Sequence, residues 1–112
     1  MWNKPTLKQL QKIPDLYSQE NIKDKLIYMK FFMGSWTWLV AEIDHKNYDS
    51  MFCYVISPMG SEWGYTSLKE LMSLKDLFVE VDRDLYSATP YKPKKFSEIM
   101  KEEDKDFLDD FE

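Results

Sequence analysis

The chain has one cysteine, one histidine, one arginine and three glycines among 112 residues. Each scarcity excludes something. A lone Cys53 allows no intramolecular disulfide, which suits a reducing compartment. One His and one Cys cannot supply the usual four ligands of a structural zinc. Three glycines build no glycine-rich phosphate loop, and neither a Walker pattern nor a GxSxG elbow occurs. Of the 15 basic residues only Arg83 is an arginine. A dedicated DNA reader usually carries more of its bidentate forks. No apolar run approaches the roughly 20 residues that cross a bilayer. The opening Met1-Trp2-Asn3-Lys4-Pro5 lacks an apolar signal core, so a cytoplasmic location is expected.

What is abundant is acid and aromatic rings. Aromatics make up 16% of the chain and hydrophobic residues 44%, which excludes wholesale disorder. The length fits one domain. The formal net charge is −5, and residues 102–112 alone hold seven acids against one lysine. The division expected is a single domain over 1–101 and an acidic tail over 102–112. Excess acid disfavours direct nucleic-acid binding, because phosphates repel carboxylates.

Thr6 with Gln9 is a capping-box start to a helix carrying Leu7, Leu10 and Ile13, ended by Pro14. Residues 14–25 read as a polar connection. Alternation over 26–33 predicts a strand with Ile27, Met29, Phe31 and Met33 inward. Gly34-Ser35 is a turn signal. Residues 36–43 predict a strand with Trp36, Trp38, Val40 and Glu42 on one face. Strands are expected over 51–56 and 62–66, separated by the breaker cluster at 57–61. Ser67 with Glu70 predicts a second capping box and helix, with Leu68, Leu71 and Met72 in its stripe. A last strand is expected over 77–82, with Leu77, Val79 and Val81 inward. Residues 87–95 read as a loop, and Ser97 as the cap of a helix carrying Phe96, Ile99 and Met100. The fold class is therefore α+β: a four- to five-stranded, mainly antiparallel sheet with two or three short helices gathered on one face.

Three stretches carry a resemblance. They are Met1-Trp2-Asn3-Lys4-Pro5-Thr6, then Glu62-Trp63-Gly64-Tyr65, then Phe78 with Glu80-Val81-Asp82 and Asp84-Leu85-Tyr86. Together they resemble a family of small bacterial proteins described as a domain of unknown function, DUF2958. The resemblance covers about the first 100 residues and leaves the acidic tail outside. It implies no reaction and no catalytic residues. It does imply a mobile-element setting, where small acidic proteins include inhibitors of host defence that bind CRISPR nucleases.

Several groups have a functional reading beside a plain one. Glu80, Asp82 and Asp84 alternate along the last expected strand, about 6.8 Å apart on one face. They read as a row imitating phosphates, as a Mg²⁺ site, or as the charged outer face of an edge strand. In the tail, Glu102, Glu103, Asp104, Asp106, Asp109 and Asp110 read as a solvating block, yet Phe107, Leu108 and Phe111 suit docking into a basic groove. Trp63 and Tyr65 share a strand face. Large aromatics are core residues first, but 18 rings are many for one small core, and Trp and Tyr recur at interface hot spots. Lys92, Lys94 and Lys95 form a basic loop, either solvated or a weak phosphate contact. His45 reads as an exposed loop residue, and Cys53 as a buried, inert thiol. Glu62 with Asp82 or Asp84 forms an acid–base pair only if they converge in space.

These readings favour a non-enzymatic, acidic protein that binds a nucleic-acid-handling host protein such as a CRISPR nuclease, in the manner of an anti-CRISPR. The contacts expected are Glu80, Asp82, Asp84, the tail acids, Trp63 and Tyr65, with no cofactor and no membrane. The alternatives are a small metal- or carboxylate-dependent hydrolase using Glu62, Asp82 and Asp84, and a weak nucleic-acid accessory using the lysine loop.

Overall fold

Thr6 does open the first helix. Its hydroxyl accepts from the Gln9 N–H, and the Gln9 side chain accepts from the Thr6 N–H, so both halves of the capping box form. Helix α1 (Leu7–Gln11) follows and buries Leu10. The computed structural model describes residues 5–73, 80–82 and 93–101, with Glu80–Asp82 described by their strand pairing. Met1 to Lys4, Leu77, Val79, Asp84 to Tyr86, Lys92 and the tail over 102–112, all part of the sequence reading, lie outside those residues.

The chain then forms β1 (Leu26–Ile27), β2 (Met29–Met33), β3 (Trp36–Ile43), β4 (Ser50–Ser57) and β5 (Gly60–Ser67). Helix α2 (Leu68–Ser73), β6 (Glu80–Asp82), β7 (Lys94–Lys95) and a helical segment over 96–101, called α3, complete it. The main sheet has five antiparallel strands in the order β5-β4-β3-β2-β6. The β2–β3 turn works because Gly34 sits at φ 58°, where a side chain would be strained. Among the described residues no helix is long and apolar enough to cross a membrane.

The structure departs from the sequence reading at four points. The expected strand over 26–33 is split at Tyr28, and its first part pairs with Lys94–Lys95 in a separate two-stranded sheet. Two lysines read as loop are therefore ladder residues. Second, burial extends to both faces of the sheet, which the sequence reading did not state. Consecutive residues from Trp38 to Ile43 are all buried, so the centre of the sheet is covered on both faces. Segment α3 helps cover the face that carries Tyr54 and Trp63. Phe96 lies 4.7 Å from the Tyr54 ring and 5.2 Å from the Trp63 ring, and Ile99 is buried.

Third, both later helices start against an aspartate brought from elsewhere. Ser67 bonds the Glu70 N–H as expected, but the carboxylate over the α2 start is that of Asp49. Likewise Ser97, expected as the cap, lies inside the first turn of α3, and its N–H and hydroxyl both donate to Asp24, at 2.9 and 2.6 Å. Those two bonds hold the Asp24 carboxyl below its ordinary value of 3.8. A carboxyl with a lowered folded pKa contributes stability above its unfolded pKa and loses it as pH falls through the folded value. Amide-exchange protection over residues 96–101 is therefore expected to fall as pH drops below about 3.8, and Asp24→Asn should remove that acid dependence.

Fourth, β3 carries a bulge. Val40 pairs with Cys53 and Glu42 with Phe52, so Ala41 is the extra residue. An inserted residue reverses the alternation beyond it. Glu42 thus lies on the face opposite Val40, not on the face it would share by strict alternation with Trp36, Trp38 and Val40.

Candidate functional site

The bulge has a chemical result. It turns Glu42, only 3% exposed, toward the connection over 14–25. There the Tyr17 N–H donates to Glu42 Oε1 at 3.0 Å and the Gln19 N–H donates to Oε2 at 2.7 Å. A buried carboxylate needs such partners, because an unpaired one costs several kcal/mol, on the order of what a small domain can spare. Tyr17 adopts φ 70°, a strained setting for a bulky residue that this clasp maintains. Gln19, also buried, donates to the Leu26 and Ala41 carbonyls at 3.1 and 2.9 Å and accepts from the Leu26 N–H at 2.6 Å. The connection read as polar loop is thus pinned by five side-chain hydrogen bonds, three to β3 and two to Leu26 of β1.

Beside this clasp lies a recess of about 200 Å³ walled by Tyr17, Glu20, Lys25, Glu42, Phe52 and Tyr65. Lys25 donates to the Gln19 and Ile22 carbonyls and stands 5.9 Å above the Trp63 ring. A side-chain hydrogen bond to Tyr17, then burial, then the Glu42 and Glu20 carboxylates hold the Tyr65 phenol above its ordinary value. Tyr65 remains 58% exposed. Trp63 is half-buried, locked among Phe52, Tyr54 and Phe96 with centroids 5.2–5.3 Å away. A second, larger groove of about 530 Å³ lies over β3, β4 and β5, with Trp36, Val55, Met59, Glu62 and Gly64 among its lining residues.

The predicted acids fall as follows. β6 is an edge strand among the described residues, and its register sets Asp82 opposite Lys30 and Glu80 opposite Phe32. Glu62 is exposed on β5, the other edge. Four strand spacings separate the two edges, about 19 Å at ~4.8 Å each. Glu62 and Asp82 therefore do not form a pair. Asp84 and the acids at 102, 103, 104, 106, 109 and 110 lie outside the described residues, as does Lys92. Among the described residues no three His, Cys, Asp or Glu side chains are grouped to hold a metal ion.

His45 is not a free loop side chain. Its Nε2 lies 2.6 Å from the Ile13 carbonyl and must donate there, and its ring stands 5.2 Å from Tyr48. Cys53 is fully buried, and burial pushes its thiol up to about 12. Cys53 is expected to resist a thiol-reactive dye in native protein and to react fully in denaturant. Labelling at the rate of a free cysteine under native conditions would contradict its placement.

A five-stranded antiparallel sheet, covered on both faces at its centre and flanked by short helices, defines the chain as a small α+β domain. The chain matches over residues 4–105 the family model described as a protein of unknown function (DUF2958), and it belongs to that family. The match runs four residues into the acidic tail. Neither a curated protein nor a solved structure gives a significant match.

Proposed function

We propose that this protein is a non-enzymatic binding domain that occupies the basic, nucleic-acid-holding surface of another protein. The observation that carries the reading is the position of Glu80 and Asp82 at alternate sites on the edge strand β6. Among the described residues no strand pairs with the outer side of β6, which leaves that side for a partner, and alternate residues recur at about 6.8 Å. That interval is near two nucleotide rises along one strand of DNA, about 3.4 Å each. The net charge of −5, concentrated in residues 102–112, supports the same partner chemistry. Complementary charge speeds encounter and selects the partner; buried aromatic anchors hold it. Exposed Tyr65 on the opposite edge strand is available for that second task.

In this reading the protein works in the cytoplasm as an inhibitor carried by a mobile element. The specific case is a CRISPR nuclease whose guide or target channel is blocked. The hydrolase alternative would need Glu62 to meet Asp82 or Asp84; Glu62 and Asp82 lie on opposite edges of the sheet, and Asp84 lies outside the described residues. Lys94 and Lys95, being ladder residues, no longer read as a loop free to grip phosphates.

The test is the triple charge reversal of Glu80, Asp82 and Asp84 to lysine. Partner capture is expected to fall at least about tenfold, since each close charge pair at an interface contributes on the order of 1.5 kcal/mol or more. The circular-dichroism melting curve should stay within a few degrees of the parent. Undiminished capture by a folded triple variant would sink the proposal.

A further inference from the structure

We propose that the recess between the 14–25 connection and strands β3–β5 receives a single guanidinium group, an arginine side chain offered by a protein partner. This deepens the reading of a basic partner and rests on it for the partner's nature.

Charge is the first argument. Two carboxylates, Glu20 and Glu42, and one ammonium, Lys25, line the recess. The ammonium is committed to the Gln19 and Ile22 carbonyls at 3.0 and 2.7 Å. The local excess is therefore negative, and a cation is the complementary ligand. Geometry is the second. Glu42 is held by one backbone amide on each oxygen, so it cannot swing to meet a ligand and need not. A carboxylate offers about four lone-pair sites. The remaining ones face a planar fork better than a point charge, because a guanidinium can engage both oxygens at once. The third argument is the walls. Phe52 and Tyr65 stand 5.3 Å apart at 55°, and Tyr17 lines the recess with them. Aromatic faces attract cations, and guanidinium, weakly hydrated and flat, stacks on them more readily than ammonium. Size agrees: about 200 Å³ falls below the range of a drug-sized ligand, roughly 300–1,000 Å³, and suits one side-chain head.

The edge position of Tyr65 makes the recess reachable. Tyr65 is 58% exposed and Tyr17 64% exposed, so an incoming chain need not unfold the domain to place a side chain there.

The proposal is tested by nuclear magnetic resonance on the full chain, titrated with N-acetylarginine N-methylamide. The lysine and norleucine counterparts serve as comparisons. Saturable shifts are expected at the Tyr17 and Gln19 amides and at the Phe52 and Tyr65 rings. The lysine compound should bind at least about fivefold more weakly, and the norleucine compound not measurably. Glu42→Gln should weaken arginine binding about tenfold, as loss of a charged acceptor does. Because Glu42 is buried, Tyr65→Ser is the companion variant: it alters an exposed wall and should weaken binding several-fold in a folded protein. Absence of saturable shifts, equal binding of the lysine compound, or indifference to Tyr65→Ser would each overturn the assignment. No partner is needed for this titration, so its failure is separable. If the arginine compound does not bind while partner capture remains salt-sensitive, the recess assignment falls and the binding reading stands.

Discussion

Replacing Glu42 with alanine is expected to destabilise the domain by about 2–6 kcal/mol, because it strands two amide hydrogens at about 1–3 kcal/mol each. The Tyr17 and Gln19 N–H groups have Glu42 as their acceptor, and the Gln19 bond is buried. At about 4 °C per kcal/mol for a domain near this size, the melting temperature should fall by roughly 8–25 °C. Glu42→Gln keeps the shape and one carbonyl acceptor but turns an amino group toward the other amide. Its effect should be about half as large. A melting temperature within about 3 °C of the parent for Glu42→Ala would mean that the two amides find water instead. The clasp described here would then be incidental to folding. The same deletion also frees the turn that holds Tyr17 at φ 70°, so amide protection over residues 16–22 should fall with it.

Phe31→Ala is expected to cost about 3–5 kcal/mol, the usual range for emptying a fully buried aromatic site. Phe31 has no exposed surface, and on β2 it sits between Trp38 of β3 and Val81 of β6 in register. Small domains hold about 5–15 kcal/mol in all. One substitution would thus remove a large share of the stability. Phe32, one residue along and only half-buried, supplies the internal comparison. Its replacement by alanine should cost less than half as much. Denaturant midpoints read by tryptophan fluorescence, with unchanged slopes, give both numbers. Equal costs at 31 and 32 would contradict the face assignment of β2.

These two residues also show what is legible in the chain and what is not. Phe31 is legible because strict alternation with Ile27, Met29 and Met33 marks one strand face, and the structure buries Ile27, Met29 and Phe31 together. Turn signals at Gly34-Ser35 and around Pro58-Met59 bound the hairpins for a local reason: few residues tolerate those backbone angles. Glu42 is different. Its place depends on a bulge at Ala41 that no glycine or proline announces, and on amide partners more than 20 residues earlier. Lys94 and Lys95 misled for a related reason. Just after Pro90 and Pro93, two lysines look like loop, and only the tertiary pairing with Leu26 and Ile27 makes them a strand. Asp24 and Asp49 cap helices far away in sequence, a role that nearest-neighbour capping patterns do not register. The alternation of Glu80 and Asp82 was readable and lies on a paired strand; Tyr65 was readable as a surplus ring and is exposed. That Tyr65, Phe52, Glu42 and Tyr17 meet around one recess was not, because nothing local links residues so far apart in the chain.

The binding claim is tested most directly by affinity capture from a host-type lysate at low ionic strength. Bound proteins are eluted by a salt gradient and identified by mass spectrometry. The expected result is recovery of a nucleic-acid-handling protein that is released as salt rises and displaced by added nucleic acid, since screening shortens charge attraction to about 10 Å at 0.1 M and 3 Å at 1 M. Recovery of no specific protein, or of one whose retention ignores both salt and nucleic acid, would contradict it.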